Sequence, residues 1–316
     1  MGLVLRFVRI FAAVLVASAI AVPWWPRPAG AIAHGTDVPA GRYRFSVLLT
    51  MTGLPVDGGG TRDSWCSGAL VAPRWVITAG HCFRDADGRR VSRTVAERTT
   101  AVVGRVDLSK RDGHQVKVID AYQATGADVA LAELDKPVTD ITPVRVSTEA
   151  PTPGQVLRLT GYGLVDDGDE AAPVTRLQTG QFTVGDVSDT LIETSGREPR
   201  GDTSPCRHDS GGPYFREPPE GPAVLVAVVS TGPGCPHRGP DLSARTDNLA
   251  GWIADTVGPA AGPSRWIPAG VGAGLVVLLL AVGLGVVLVV LRQRRPARHS
   301  PRSAVSTCSG ALPRDG

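Results

Sequence analysis

The residues best suited to chemistry lie in three short stretches. Pro205-Cys206-Arg207-His208-Asp209-Ser210-Gly211-Gly212-Pro213 sets a serine between an acid and two glycines. A serine hydroxyl is a weak nucleophile at its own pKa and needs a neighbouring base. The glycines let backbone approach a substrate and reach conformations barred to other residues. Trp75-Val76-Ile77-Thr78-Ala79-Gly80-His81-Cys82 is an apolar run ending in small residues and a histidine, which supplies such a base. Asp128-Val129-Ala130-Leu131-Ala132-Glu133-Leu134 opens with an acid that leads into an apolar strand. An aspartate there is often only a turn residue. It can also accept the Nδ1–H of a histidine, fix its tautomer and stabilise the imidazolium. Each stretch alone has an ordinary reading as a glycine-rich turn, a core histidine or a turn acid. Together they hold a nucleophile, a base and an orienter.

The five cysteines are Cys66, Cys82, Cys206, Cys235 and Cys308. The first four allow three pairings. No C-x-x-C or paired-histidine spacing is present, so no metal and no cofactor is expected.

The elements that must position these groups read as strands. Short β-branched runs broken by turn residues occur at Phe45–Thr50, Ala69–Val71, Trp75–Thr78, Ala101–Val103, Gln115–Ile119, Val156–Thr160, Gln181–Val184 and Val224–Ser230. Strands of this length and spacing indicate an all-β sandwich or barrel. Helical periodicity is confined to Asn248–Val257, where Leu249, Trp252, Ile253 and Val257 share a face. Asp166–Ala172 and Gly196–Thr203 are polar and read as loops.

On Thr78–Cys82, Asp128–Leu131 and Cys206–Pro213, in that order, the chain resembles a secreted chymotrypsin/trypsin-like serine protease. Gly161-Tyr162-Gly163, Ser230-Thr231-Gly232 and Trp252-Ile253 support the likeness, which covers roughly residues 32–258. The resemblance implies two six-stranded antiparallel β-barrels with a C-terminal helix and a cleft between the barrels. It implies His81 as general base, Asp128 as orienter and Ser210 as nucleophile, with the N–H groups of His208 and Ser210 holding the oxyanion. It implies disulfides Cys66–Cys82 and Cys206–Cys235. It also implies that a freed Ile32 amine pairs with Asp209, the acid before the nucleophile. The substrate class is a protein or peptide.

Two positions depart from the family pattern. The residue two before the nucleophile is nearly always glycine in the family; here it is His208, which must adopt an unusual backbone conformation. Histidine is among the non-glycine residues enriched at positive φ. The residue six before the nucleophile is Ser204, where trypsin-like members carry an aspartate. The resemblance places Asp241, after Pro240, at or near the opposite wall of the same pocket, with Ser230 and Gly232 beside it. A carboxylate there favours arginine or lysine before the scissile bond through charge-assisted pairing. The alternative is a slipped loop that leaves Asp241 solvated.

The two ends address a membrane. Arg6 and Arg9 precede an apolar run from Ile10 to Val22, and Ala29-Gly30-Ala31 offers small residues for cleavage. Residues 1–31 therefore read as a signal peptide whose removal exposes Ile32. Gly258–Arg265 is Pro/Gly-rich, and 259–266 forms a linker. Residues 267–291 carry no charge and are long enough to span a bilayer. Arg292, Arg294 and Arg295 follow at once, placing tail 292–316 and Cys308 in the cytoplasm. Gly270 and Gly274 have the spacing of a helix-pairing motif, although a monomer is expected. With the ends set aside, residues 32–266 carry 24 basic and 29 acidic groups. That balance excludes the clustered basic face of a nucleic-acid binder. Thirty arginines against three lysines point to a GC-rich genome and a bacterial, actinobacterial-like source.

The expected protein is a membrane-anchored, outward-facing serine endopeptidase. An α/β-hydrolase is disfavoured, because its triad runs serine, acid, histidine. The alternative from another class is a catalytically silent protease fold kept as a cell-surface binding module.

Overall fold

The computed structural model describes residues 31–166 and 175–258. The signal peptide up to residue 30, the linker, the membrane span 267–291 and the tail with Cys308 lie outside those residues, as does most of the Asp166–Ala172 loop. Among the described residues no helix is long and apolar enough to cross a membrane.

Fourteen strands follow in order: β1 (Thr36–Asp37), β2 (Ser46–Pro55), β3 (Thr61–Ala72), β4 (Trp75–Thr78), β5 (Arg98–Val103), β6 (His114–Gln123), β7 (Ala130–Leu134), β8 (Arg145–Val146), β9 (Val156–Gly161), β10 (Gln178–Val187), β11 (Leu191–Glu198), β12 (Pro213–Arg216), β13 (Val224–Thr231) and β14 (Pro240–Arg245). The first barrel closes in the order β2-β3-β4-β7-β6-β5. The second runs β9-β10-β11-β14-β13-β12 and closes where β12 pairs β9. Within both rings the pairings are antiparallel; β1 adds to the edge of β10, and β8 lies parallel to β13. The two-barrel architecture is as expected.

Alternation produces the barrels. In β2, Val47, Leu49 and Met51 enter the first barrel's core with Leu70, Ile77, Leu131 and Leu134. The intervening Leu48 joins Val38, Val102 and Tyr162 on the other face. The second barrel encloses Leu157, Leu159, Phe182, Val184, Ile192, Tyr214 and Val226. Burying such a side chain stabilises by about 1.5–3 kcal/mol.

Some strands that patterning missed have polar interiors. In β14 the buried residues are Asp241, Ser243 and Ala244, while Leu242 is exposed. Residues Gly196–Glu198, expected in a loop, are the end of β11 and pair with β10. Their outward polarity conceals a strand anchored by Ile192 and Thr194, both fully buried.

Helix α1 (Ala250–Val257) follows a 3-10 turn at Asp247–Leu249, so the expected helix begins as a tighter coil. Ile253 is buried, and Leu249, Trp252 and Val257 pack against the main core, the face that the periodicity marks.

The barrels meet through polar and aromatic contacts. Ser46 Oγ lies 2.8 Å from Thr160 Oγ1. Trp65 Nε1 donates to the Tyr162 carbonyl at 2.8 Å, and Tyr162 N donates to Ser67 Oγ at 2.8 Å. Phe45 and Phe215 meet edge to face at 5.1 Å. These contacts hold Phe45, β2 and β3 of the first barrel against β9, Tyr162 and β12 of the second.

Candidate active site

β4 ends at Thr78, and the chain turns into a 3-10 turn, Gly80–Cys82, that presents His81. Gly80 has no room for a side chain: a Cβ there would lie 2.5 Å from Gln123 Oε1 and 3.1 Å from Asp128 Oδ1. Asp128 precedes β7, which pairs with β4, so the sheet register brings acid and base together. His81 N donates to Asp128 Oδ1 at 2.8 Å, and His81 Nδ1 lies 2.7 Å from Asp128 Oδ2. Asp128 therefore holds both the backbone and the ring of His81. Ser230 Oγ, from the second barrel, donates to Asp128 Oδ2 at 2.7 Å. Arg90 Nη1 stands 3.5 Å from Asp128 Oδ1. Burial opposes the charge on Asp128, but the hydrogen bonds from His81 and Ser230 and the His81 charge outweigh it. The carboxyl is held down at about 2, ionised throughout the neutral range.

Ser210 lies on the loop between β11 and β12. Its carbonyl accepts from Ser67 N at 2.9 Å, and Gly211 N donates to Val229 O at 2.8 Å, so each barrel grips the loop once. Gly211 has φ +79°, and a Cβ there would sit 2.1 Å from Thr78 Oγ1 and 2.5 Å from Ala79 N. Only glycine lets the Ser210 loop approach the end of β4 that delivers His81.

His208 has φ 74°. The positive φ expected of a residue at that place is present, carried by an imidazole instead of a glycine. Its ring stacks on Trp65 with centroids 3.6 Å apart and planes 17° from parallel. His208 Nδ1 lies 2.8 Å from the Trp65 carbonyl, so Nδ1 carries the proton. Ser67 Oγ donates to the His208 carbonyl at 3.1 Å. Sequence reasoning missed Trp65 and Ser67; their adjacency to Cys66 is the only signal that points to them.

Asp209 is fully buried. Its Oδ1 accepts from Gly163 N at 2.8 Å; its Oδ2 accepts from Cys206 N at 2.9 Å and Ile32 N at 3.2 Å. Burial pushes the carboxyl up to about 7 against those three hydrogen bonds. Gly161 and Gly163 make space for it, since a Cβ on either would lie 2.0–2.4 Å from Asp209 atoms. Ile32 is fully buried and joins the second barrel's core. Disulfides join Cys66 to Cys82 and Cys206 to Cys235, with Cα separations of 6.5 and 5.3 Å. Among the described residues no cluster of potential metal ligands occurs.

A cavity of about 210 Å³ opens beside Ser210, lined by Ser230, Thr231, Gly232 and Asp241 among others. Asp241 Oδ1 faces Gly232 so closely that a Cβ on the glycine would meet it at 1.9 Å. Ser204, expected in this lining, is not part of it. Its backbone pairs with Ala33, and its Oγ accepts from His237 N at 3.3 Å. His237, which sequence reasoning did not single out, places Nε2 3.2 Å from Asp241 Oδ1.

The family model for trypsin matches residues 32–253. Trypsin 5G1 of Aedes aegypti is 29% identical over 255 residues, covering 75% of this chain and 89% of the relative. A trypsin-like protease of Streptomyces glaucescens is 31% identical over 191 residues, covering 55% of this chain and 67% of the relative. Serine protease 56 of Mus musculus is 28% identical over 264 residues, which cover 77% of this chain but only 41% of that relative.

Proposed function

This chain belongs to the trypsin family of serine proteases, and from that membership and the site geometry we propose that it is an endopeptidase working through Ser210, His81 and Asp128. The observation that carries the reading is the paired contact of Asp128 with His81, one bond to the backbone N–H and one to Nδ1. With Nδ1–H donated to the carboxylate, Nε2 of neutral His81 is left as the base.

Ser210 Oγ attacks the peptide carbonyl while His81 Nε2 takes its proton. The carbonyl oxygen gains the negative charge, and the N–H groups of His208 and Ser210 stabilise it. The C–N bond then breaks, the leaving amine takes the proton from His81, and Ser210 carries the acyl group. Water attacks that ester, again giving its proton to His81, and Ser210 leaves with the proton restored. Asp128 stays ionised and stabilises the imidazolium formed at each step. Donors fixed in place before reaction stabilise the oxyanion without reorganisation.

The mature chain starts at Ile32, freed by removal of residues 1–31, and its ammonium pairs with Asp209. Support comes from Ile32 N already lying at Asp209 Oδ2 and from the burial of Ile32. Residues 267–291 anchor the protein, with the protease outside the cell and 292–316 in the cytoplasm. Asp241 supplies the charge that selects a basic residue before the scissile bond.

The test is cleavage of internally quenched peptides by the purified full-length chain and by Ser210→Ala. Cleavage lost in the variant upholds the reading. Equal rates, or none in a folded wild-type chain starting at Ile32, refute it; the latter result favours the silent binding module.

A further inference from the structure

Asp241, which lines the cavity beside Ser210, is backed by a second titratable group that the catalytic reading does not use. His237 and Asp241 form an ion-pair contact at 3.2 Å, with side chains only 10% and 3% exposed. Three polar atoms around them are buried without a hydrogen-bond partner: His237 Nδ1, Asp241 Oδ2 and the Tyr214 hydroxyl. Buried polar atoms are rarely left unpaired, and each such atom needs an explanation. When His237 Nε2–H donates to Asp241 Oδ1, both Nδ1 and Oδ2 are acceptors. Two unmatched acceptors and a lining carboxylate, against one unmatched hydroxyl on Tyr214, make the Asp241 wall complementary to a cation, with the Arg207 guanidinium elsewhere in the same lining.

We propose that His237 determines specificity by sharing a proton with Asp241, so that the pocket takes a basic side chain only when the pair carries no shared proton. This inference rests on the reading of the cavity as the primary specificity pocket. Counted from a neutral imidazole and a carboxylate, the pair has charge −1. One added proton brings it to zero, whichever residue holds the proton. A bound guanidinium or ammonium expels that proton, and an uncharged side chain does not.

Burial drives the Asp241 carboxyl up to about 7, while the His237 charge and hydrogen bond oppose the rise. Two other titratable groups face Asp241 from neighbouring elements. One is Asp209 on the nucleophile loop; the other is Tyr214 of β12, whose hydroxyl is pushed well up by burial. Thr194, opposite Asp241 in β11, does not titrate.

Because either member of the pair can hold the proton, the pH at which its charge disappears lies at or above that of the carboxylate alone. A variant that keeps an N–H on Asp241 Oδ1 but cannot take up the proton, as His237→Gln does, therefore extends cation binding to lower pH, whereas losing that N–H as well would raise the carboxyl.

The experiment measures the fluorescence of p-aminobenzamidine, a permanent cation in this range, on binding to the full-length chain from about pH 5.5 to 8.5. It needs no turnover, so its outcome is independent of whether Ser210 is catalytic. In the wild type, Kd weakens toward acid with a limiting slope of about tenfold per pH unit. In His237→Gln the weakening sets in at lower pH. In Asp241→Asn binding is weak at every pH, and any remaining slope belongs to Asp209. Wild-type binding that does not vary with pH overturns the proposal. So does a His237→Gln profile that superimposes on the wild type. His237→Asn serves the same comparison if the glutamine variant does not fold.

Discussion

His208 lies flat on Trp65, ring centroids 3.6 Å apart, with its backbone at φ 74°. The stack and the Nδ1–H bond to the Trp65 carbonyl hold an L-residue in the left-handed region. That conformation costs about 1–2 kcal/mol for a residue with a Cβ. The backbone, not the imidazole, is what the oxyanion needs. His208→Gly is expected to keep kcat within about threefold, because glycine adopts this φ freely. His208→Val places a β-branched residue where such φ is a genuine outlier. It is expected to lose about 10²–10³ in kcat, the effect of one missing oxyanion donor. Steady-state kinetics on one peptide substrate compares the two.

Ser230 and His81 bond the same oxygen of Asp128. Removing a hydrogen bond to a charged group costs about 1.5–3 kcal/mol. Ser230→Ala is expected to lower kcat by about tenfold, since part of the Asp128 charge is then less firmly held. Asp128→Asn is expected to lower it by about 10⁴, through the wrong His81 tautomer. Asp128 also makes stability pH-dependent. Its folded pKa, at about 2, is below the unfolded value. The stability it contributes is present above about pH 4 and is lost as pH falls through 2. Circular dichroism melts at decreasing pH read that loss, and Asp128→Asn flattens it.

Asp209 has the opposite sign. With an amide rather than an ammonium at Ile32, its carboxyl is pushed by burial up to about 7, well above the usual carboxylate range. The folded state then binds a proton that the unfolded state releases, and stability declines as pH rises from about 4 through 7. A freed Ile32 ammonium reverses this by holding the carboxylate ionised. A chain still carrying residues before Ile32 is thus expected to lose melting temperature between about pH 4 and 7. The chain starting at Ile32 is expected to hold it. Identical profiles contradict the ion pair.

The residues proposed for catalysis stand out in the sequence because the proposed chemistry demands particular side chains beside particular small ones. Gly80 and Gly211 are required where backbones meet His81 and Ser210, and both stand inside the motifs. The barrels are legible where apolar residues alternate, as in β2, and illegible where the strand interior is polar, as in β14. Asp241 is foreseen from its wall of the pocket, but His237 is not. Its role depends on a loop that folds back to place Nε2 beside a residue four positions on, which no periodicity marks. The Trp65–His208 stack is likewise invisible, because 143 residues separate its partners.

Catalysis as proposed requires that Ser210 be an activated nucleophile. A fluorophosphonate probe bonds covalently to such a serine and to no ordinary hydroxyl. The most direct measurement labels the full-length wild-type chain and the Ser210→Ala and His81→Ala variants, then maps the adduct by peptide mass spectrometry. One adduct is expected, on Ser210, absent in both variants. A folded wild-type chain starting at Ile32 that takes up no probe, or takes it up elsewhere, contradicts the proposed catalysis.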